Sequence, residues 1–380
     1  MSSDQALRAR YETLDVLRGI AAFCVLFWHW RWFYCTPPLD CSTDPTLQPF
    51  FWLLKPLYQY GRWGVDLFFS ISGFVFFYLY ADTISNKQVV GITFAVSRFS
   101  RLYPLHLLTL LVVTALQMLY FQRNGSYFIY EVNDAKHFLM HLFFASNWSR
   151  NSPFTFNGPA WSLSIEILLY AMFFVLARTR LTHPLILAVI ALSGAFITRE
   201  YNWIGRGVLS FFTGGLCFYL TRDLRKSPRL DPVLTACALL VPAGALLIQI
   251  VREDVSFAER FTVIVLFPAM IITLTTNETR LKPITSPLRF LGNISYSSYL
   301  IHFPLALSFV TAASYFGFVI DPSSPWSLLS FFAFLIVLSI LSFSFFETPM
   351  QSFLRTIAGA QFNARSQNTK TANRRAPGST

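Results

Sequence analysis

Several ionisable residues stand inside stretches of sequence that are otherwise apolar, and their types suit acid–base chemistry. The stretch 14–33 carries Arg18 and His29, eleven positions apart. At about 100° per residue that is three helical turns plus roughly 20°, so the two share one helix face, about 16 Å apart along the axis. They cannot touch, but they can line one pathway. Asp66 lies near the start of the apolar stretch 63–82, and Glu166 near the start of 159–178. Two carboxylates and an imidazole at similar depth can orient and tune a general base. The plainer reading of the three is a structural polar network. Arg98 and Arg101 stand one turn apart just before the stretch 102–121. Two such guanidinium groups can clamp a phosphorylated ligand, or simply anchor the chain at a membrane surface. A further imidazole, His302, falls within 294–317. His137 and His141 have the i, i+4 spacing of metal ligands, but no third ligand set accompanies them, so no metal site is expected.

These residues are notable because of what surrounds them. Of 380 residues, 54% are hydrophobic and only 13% charged, and 41 are Phe; mean hydropathy is +0.48. A soluble chain carries about 25% charged residues. A water-soluble globule cannot cover so much apolar surface, so the solvent must largely be lipid. There, each Arg, Asp or Glu at mid-membrane costs on the order of 3 kcal/mol by insertion scales and asks for a role. The net charge of +11 reads as topology rather than nucleic-acid binding, because Lys and Arg collect on the cytoplasmic side of membrane proteins. No phosphate-binding Gly-rich loop, Gly-x-Ser-x-Gly elbow or nucleic-acid signature is present.

A spanning helix needs roughly 20 mostly apolar residues. Ten stretches qualify: 14–33, 63–82, 102–121, 159–178, 183–198, 203–221, 230–251, 258–276, 294–317 and 326–346. The segment 137–148 is shorter, carries two His and reads as interfacial or re-entrant. Ten crossings with both termini cytoplasmic leave most of the Lys and Arg inside, including the cluster over 222–229. An eleventh crossing at 137–148 would turn that cluster outward. The expected fold is therefore all-α and polytopic, with about ten transmembrane helices. The first stretch is not a cleaved signal, since it is long, contains Arg18 and His29, and lacks a small-x-small site. Residues 1–349 form the membrane domain, and 350–380 a basic cytoplasmic tail expected to be disordered. Cys24, Cys217 and Cys237 fall in spans as packing residues, while Cys35 and Cys41 share an outer loop where a disulfide is open.

Taken in order, these elements resemble the acyltransferase-3 family of integral-membrane acyltransferases. The resemblance covers about 14–349. It rests on Leu-Asp-x-Leu-Arg-Gly with Arg-x10-His (Arg18, His29); Gly-Val-Asp-Leu-Phe-Phe-x-Ile-Ser-Gly-Phe (with Asp66); Arg-x-x-Arg-Leu-Tyr-Pro (Arg98, Arg101); Trp-Ser-Leu-x-x-Glu (Trp161, Glu166); Ser-Tyr-x-x-Tyr-Leu-Ile-His (His302); and a closing Phe-Glu-x-Pro (Glu347, Pro349). Each motif alone is weak, and their shared order is what carries the likeness. Val16 replaces a frequent Gly, and Thr348 stands where a basic residue is common, which weakens a specific role for the last motif.

The resemblance implies an enzyme that moves an acyl group, usually acetyl, from cytoplasmic acyl-CoA to a hydroxyl of an envelope carbohydrate or glycolipid. It makes His29 the central catalytic candidate with Arg18 beside it, and places Arg98 and Arg101 at the acyl-donor site. Asp66 and Glu166 join the catalytic set, and Trp161 and His302 are assigned to the substrate. Acyl-CoA, expected to be acetyl-CoA, is a substrate rather than a resident cofactor, and membrane lipids are the remaining partners. The implied location is a bacterial inner membrane, in a stand-alone version without a fused hydrolase-like domain. An extended phosphopantetheine arm is comparable in length to the Arg18–His29 separation, so phosphates near Arg98 and Arg101 would let the thioester reach His29. His29 could then act as base or be acylated itself. The rival readings are a transporter or flippase for a polar or glycan substrate, and a silent scaffold. A transporter commonly shows two related halves, and none is visible.

Overall fold

The computed structural model describes residues 10–35, 44–225, 259 and 261–358. Among them all regular structure is helical. The elements are α1 (Glu12–His29), α2 (Phe51–Tyr60), α3 (Gly64–Ser85), α4 (Gly91–Asn124), α5 (Ala135–Leu142), α6 (Trp161–Arg178), α7 (Pro184–Ile197), α8 (Asn202–Leu224), α9 (Phe267–Thr276), α10 (Glu278–Phe316) and α11 (Pro325–Leu341). A wide turn over Ser342–Glu347 continues α11 as helix to residue 358, past the boundary expected at 349. Every expected apolar stretch overlaps a helix among the described residues except 230–251, which lies outside them, as do positions 258 and 260 of the stretch 258–276. Cys35 is disulfide-bonded, and Cys41 lies outside the described residues as well.

Six helical stretches among the described residues are long and apolar enough to cross a membrane: Glu12–Tyr34, Phe51–Ser85, Gly91–Asn124, Gly158–Arg178, Glu278–Phe316 and Pro325–Ala358. Pro184–Ile197 and Thr262–Thr276 are shorter apolar helices. Their outward faces are apolar, with Leu185 72%, Val189 66%, Val175 59% and Phe334 56% exposed. Patches of that extent do not face water on soluble monomers, so the protein is an integral membrane protein. By contrast, α5 has only 8 residues, or about 12 Å of helix against a hydrocarbon core near 30 Å. It does not cross.

Two close crossings fix the frame. α1 lies along α10, where a Cβ on Gly292 would come within 2.3 Å of the Asp15 carbonyl and one on Gly19 within 2.5 Å of Leu291 Cβ. α3 lies along α8 in the same way, with Gly73 against the Phe211 carbonyl and Gly214 against the Ser70 carbonyl. Small residues let backbones approach where lipid supplies no hydrophobic drive between helices. The aromatic core fills the space behind them, with Phe77, Phe173, Phe211 and Phe212 fully buried.

Candidate active site

We take α1 as running upward, so that Arg18 is low in the bundle and His29 high. α1 ends at His29 and tightens into a 3-10 turn over Trp30–Tyr34. That turn swings the Trp32 ring back onto His29, with centroids 4.0 Å apart and planes 24° from parallel. The same ring lies 5° from parallel to His302, at 5.3 Å. His302 Nε2 is 3.0 Å from His29 Nδ1, and His302 Nδ1 is 2.6 Å from the Tyr299 carbonyl oxygen. His302 is buried while His29 is half-buried. The two imidazoles, far apart in sequence, form one hydrogen-bonded pair on the α1–α10 seam.

Pro304 explains how α10 is held there. Proline has no N–H, so the carbonyl four residues earlier, on Leu300, loses its helical donor. Asn157 Nδ2 donates to it at 3.1 Å. The Tyr299 hydroxyl donates to the Pro159 carbonyl at 2.8 Å and accepts from Ser162 Oγ at 3.0 Å. The segment entering α6 is thereby stitched to the helix that carries His302. Trp161 sits at this junction, but its ring turns toward Trp203 at 4.4 Å rather than toward the imidazoles.

The loop between α4 and α6 closes over this region. Gln117 grips the backbone of Phe128 from both sides, each bond 2.9 Å. Tyr130 packs edge-on to Trp32 and against Phe303. His106 Nε2 donates to the His141 carbonyl at 2.8 Å, and His141 Nε2 is 2.9 Å from Thr155 Oγ1. Burial, with a smaller contribution from the adjacent His106 ring, pulls the His141 imidazole down to about 3. His137 instead bonds Asp134, at 2.8 Å. The i, i+4 pair therefore turns to different partners.

Lower in the bundle the charges are arranged differently. Arg18 Nη2 donates to Asp15 Oδ1 and to the Gly292 carbonyl, both at 2.9 Å, and Nε donates to Ser295 Oγ at 3.2 Å. Arg98 Nη2 donates to the Tyr80 hydroxyl at 2.8 Å, and its guanidinium lies over the Phe76 and Tyr80 rings. Glu166 accepts from the Tyr170 hydroxyl and sits in the electrostatic reach of Arg101, Arg98 and Arg18. Arg101 also acts on Glu347, which accepts from Ser297 and, across the wide turn that follows α11, from Ser342 at 3.0 Å. The Tyr296 hydroxyl joins α10 to α4 through the Leu102 carbonyl at 2.5 Å. Arg355, on the continuation of α11, acts on both Arg98 and Arg101.

Asp66 belongs to neither group. It receives Arg206 from α8 through both oxygens, at 2.5 and 3.2 Å, with Ser210 Oγ at 3.5 Å. Arg206 also reaches Glu259 at 2.8 Å, which pairs with Arg62 at 3.2 Å. Thus His29 is hydrogen-bonded by His302, and neither Asp66 nor Glu166 bonds to it. Counting residues along a helix sets an expected depth but not a neighbour: Asp66 turns to Arg206, and Glu166 lies not at the level of His29 but with the lower cluster, in reach of Arg101, Arg98 and Arg18. Arg206 was recoverable from sequence as a cation in an apolar stretch that demands a carboxylate. Arg355 was not, because its segment reads as tail.

The acyltransferase-3 family model, described as an acyltransferase domain, matches residues 11–345, and the chain belongs to this family. A Komagataeibacter xylinus protein named as a membrane-bound transacylase, BcsY, is 25% identical over 329 residues, covering 80% of this chain and 75% of that protein. Protein 2 in the picA locus of Rhizobium radiobacter is 30% identical over 106 residues, 28% of this chain and 45% of that protein. No solved structure matches the chain.

Proposed function

We propose that this protein is an O-acyltransferase that moves an acyl group, acetyl in the simplest case, from cytoplasmic acyl-CoA to a hydroxyl of an envelope or exported carbohydrate, in a bacterial inner membrane. The observation that carries the reading is the α1–α10 seam, where Arg18 marks the low end and the His29–His302 pair the high end. An acyltransferase working across a membrane needs a cationic donor site on one side and a base within reach of the acceptor on the other. Arg98, Arg101 and Arg355 supply the first, and His29 the second.

In the reaction, His29 takes the proton of the acceptor hydroxyl as its oxygen attacks the thioester carbonyl. The new C–O bond forms, the C–S bond breaks, and the CoA thiolate leaves with the proton returned by the imidazolium. Acyl-CoA and alcohol become ester and CoA thiol, and only the acyl group changes sides. Membership of the acyltransferase family and the transacylase name of the K. xylinus relative support this reading.

The test is purified protein in lipid nanodiscs with acetyl-CoA and a panel of saccharides, read by mass spectrometry for an ester increment. His29→Ala should lose at least a hundredfold in rate, since general-base catalysis is worth about 10²–10⁴-fold, while expression and membrane insertion persist. Near-normal transfer by that variant removes His29 from the mechanism.

A further inference from the structure

We propose that His302 is a positioning residue that locks His29 in the tautomer with the proton on Nδ1, leaving Nε2 as the basic atom that receives the acceptor's proton. This rests on the reading of His29 as the base and adds which nitrogen acts and what selects it.

The assignment follows from donor and acceptor counting along one chain of atoms. The Tyr299 carbonyl can only accept, so His302 Nδ1, 2.6 Å away, carries a proton. A neutral imidazole has a single N–H, so His302 Nε2 is a lone pair. The atom facing it at 3.0 Å, His29 Nδ1, must then be the donor. Neutral His29 consequently has its lone pair on Nε2. The hydrogen bond made by one ring nitrogen decides the state of the other.

The competing arrangement makes His302 an imidazolium that donates from both nitrogens and forces His29 onto Nε2–H. It would bury a cation with no carboxylate bonded to either imidazole among the described residues. The charged group felt by His29 besides its partner is Arg31, which has the same sign. An unpaired buried charge is strongly disfavoured. The position of His302 is also fixed from several directions, by the α10 backbone, by Asn157 on Leu300 and by the parallel Trp32 ring. A group that selects a tautomer must be held in this way.

Two substitutions separate orientation from mere packing. His302→Leu removes the acceptor facing His29 Nδ1, and kcat should fall about a hundredfold with the KM for acetyl-CoA little changed. His302→Gln can accept from His29 Nδ1–H through its carbonyl and donate to the Tyr299 carbonyl through its amide, so it should recover most of that loss. Full kcat in His302→Leu, a change confined to KM, or a Gln variant no better than Leu overturns the proposal. Should the variants fail to fold, ¹⁵N-histidine NMR of the wild-type chain decides it, with the His29 signal identified by its loss in His29→Ala. A protonated Nδ1 with an unprotonated Nε2 supports the proposal, and the reverse pattern overturns it. Wild-type protein that transfers no acyl group overturns the enzymatic reading itself, whereas transfer by an Nε2–H tautomer overturns the positioning role alone.

Discussion

Arg206 Nη2 lies 2.5 Å from Asp66 Oδ2 across the α3–α8 crossing, and the two side chains are only 12% and 2% exposed. The pair binds two helices whose backbones touch at Gly73 and Gly214. Removing one member of a buried ion pair costs on the order of 3–5 kcal/mol, because the other charge is stranded. Asp66→Asn should therefore lower the thermal midpoint in detergent by several degrees, with Glu259 still holding one arm of Arg206. Asp66→Leu combined with Arg206→Leu should be more stable than either single change. Activity should track the folded fraction. A fully folded Asp66→Asn protein with depressed kcat would return Asp66 to the chemistry.

His141 gives the loop over the imidazole pair a dependence on acid. Its ring is held at about 3, against an ordinary value of 6.5, so it is neutral in the fold and protonated more readily when released. The stability it contributes is complete above about pH 6.5 and is lost progressively as pH falls toward 3. His106 on α4 and His137 on the same short helix are the titratable groups beside it. The hydrogen-exchange protection factors of residues 128–157, taken relative to the intrinsic rate at each pH, should fall between pH 6.5 and 4, and His141→Gln should flatten that dependence. An equal fall in the variant would place the pH response on another group.

Much of this was legible in residue types and spacing, because lipid makes charged residues conspicuous. Composition and apolar run length located the helices, and the shortness of 137–148 separated α5 from the spans. Arg18 and His29 on one face of α1 emerged from helical periodicity alone, and the bonds each makes to a neighbouring helix go to the same one, α10. What periodicity could not supply was the neighbour. His302 read as one more buried imidazole because its link to His29 joins two ends of the chain. Asp66 and Glu166 read as members of one set because residue counting put them at one depth, whereas Glu166 lies with the lower arginines and Asp66 with Arg206. Arg355 lies in a polar segment whose helical continuation depends on packing beside α4, where Leu354 and Ile357 share a groove with Ala95, Val96 and Phe99.

We propose ten crossings with both ends cytoplasmic, an arrangement that would place the end of α8 inside and the end of α4 outside. A reporter fused after Arg225 should then behave as cytoplasmic, and one inserted at Asn124 as external. Fusions at both sites also test α5, since a crossing there would invert everything that follows. An external signal after Arg225 would require an odd number of additional crossings between the two positions.

The proposed donor site makes the most demanding claim on the lower cluster. Arg98 is half-engaged already, bonded to Tyr80 at 2.8 Å with its Nε buried and without a partner. Arg355 stands close enough to act on both Arg98 and Arg101, and like charges brought together in a fold are stabilised by an anion between them. A CoA nucleotide carries several phosphates, which suits three guanidinium groups better than a single one. Each charge-assisted bond is worth about 1.5–3 kcal/mol, so Arg98→Gln and Arg101→Gln should each weaken acetyl-CoA binding roughly tenfold or more. Arg355→Gln should show a smaller loss than Arg98→Gln, because that side chain is exposed and more screened where Arg98 is half-buried. Arg→Lys should rescue only in part, since a point charge cannot reproduce a bidentate fork. Isothermal titration on detergent-purified protein at two salt concentrations reads all of these, and acceptor binding should be unaffected throughout. Unchanged affinity in the Arg98→Gln, Arg101→Gln double variant would reduce the pair to membrane anchors and move the donor site elsewhere in the bundle.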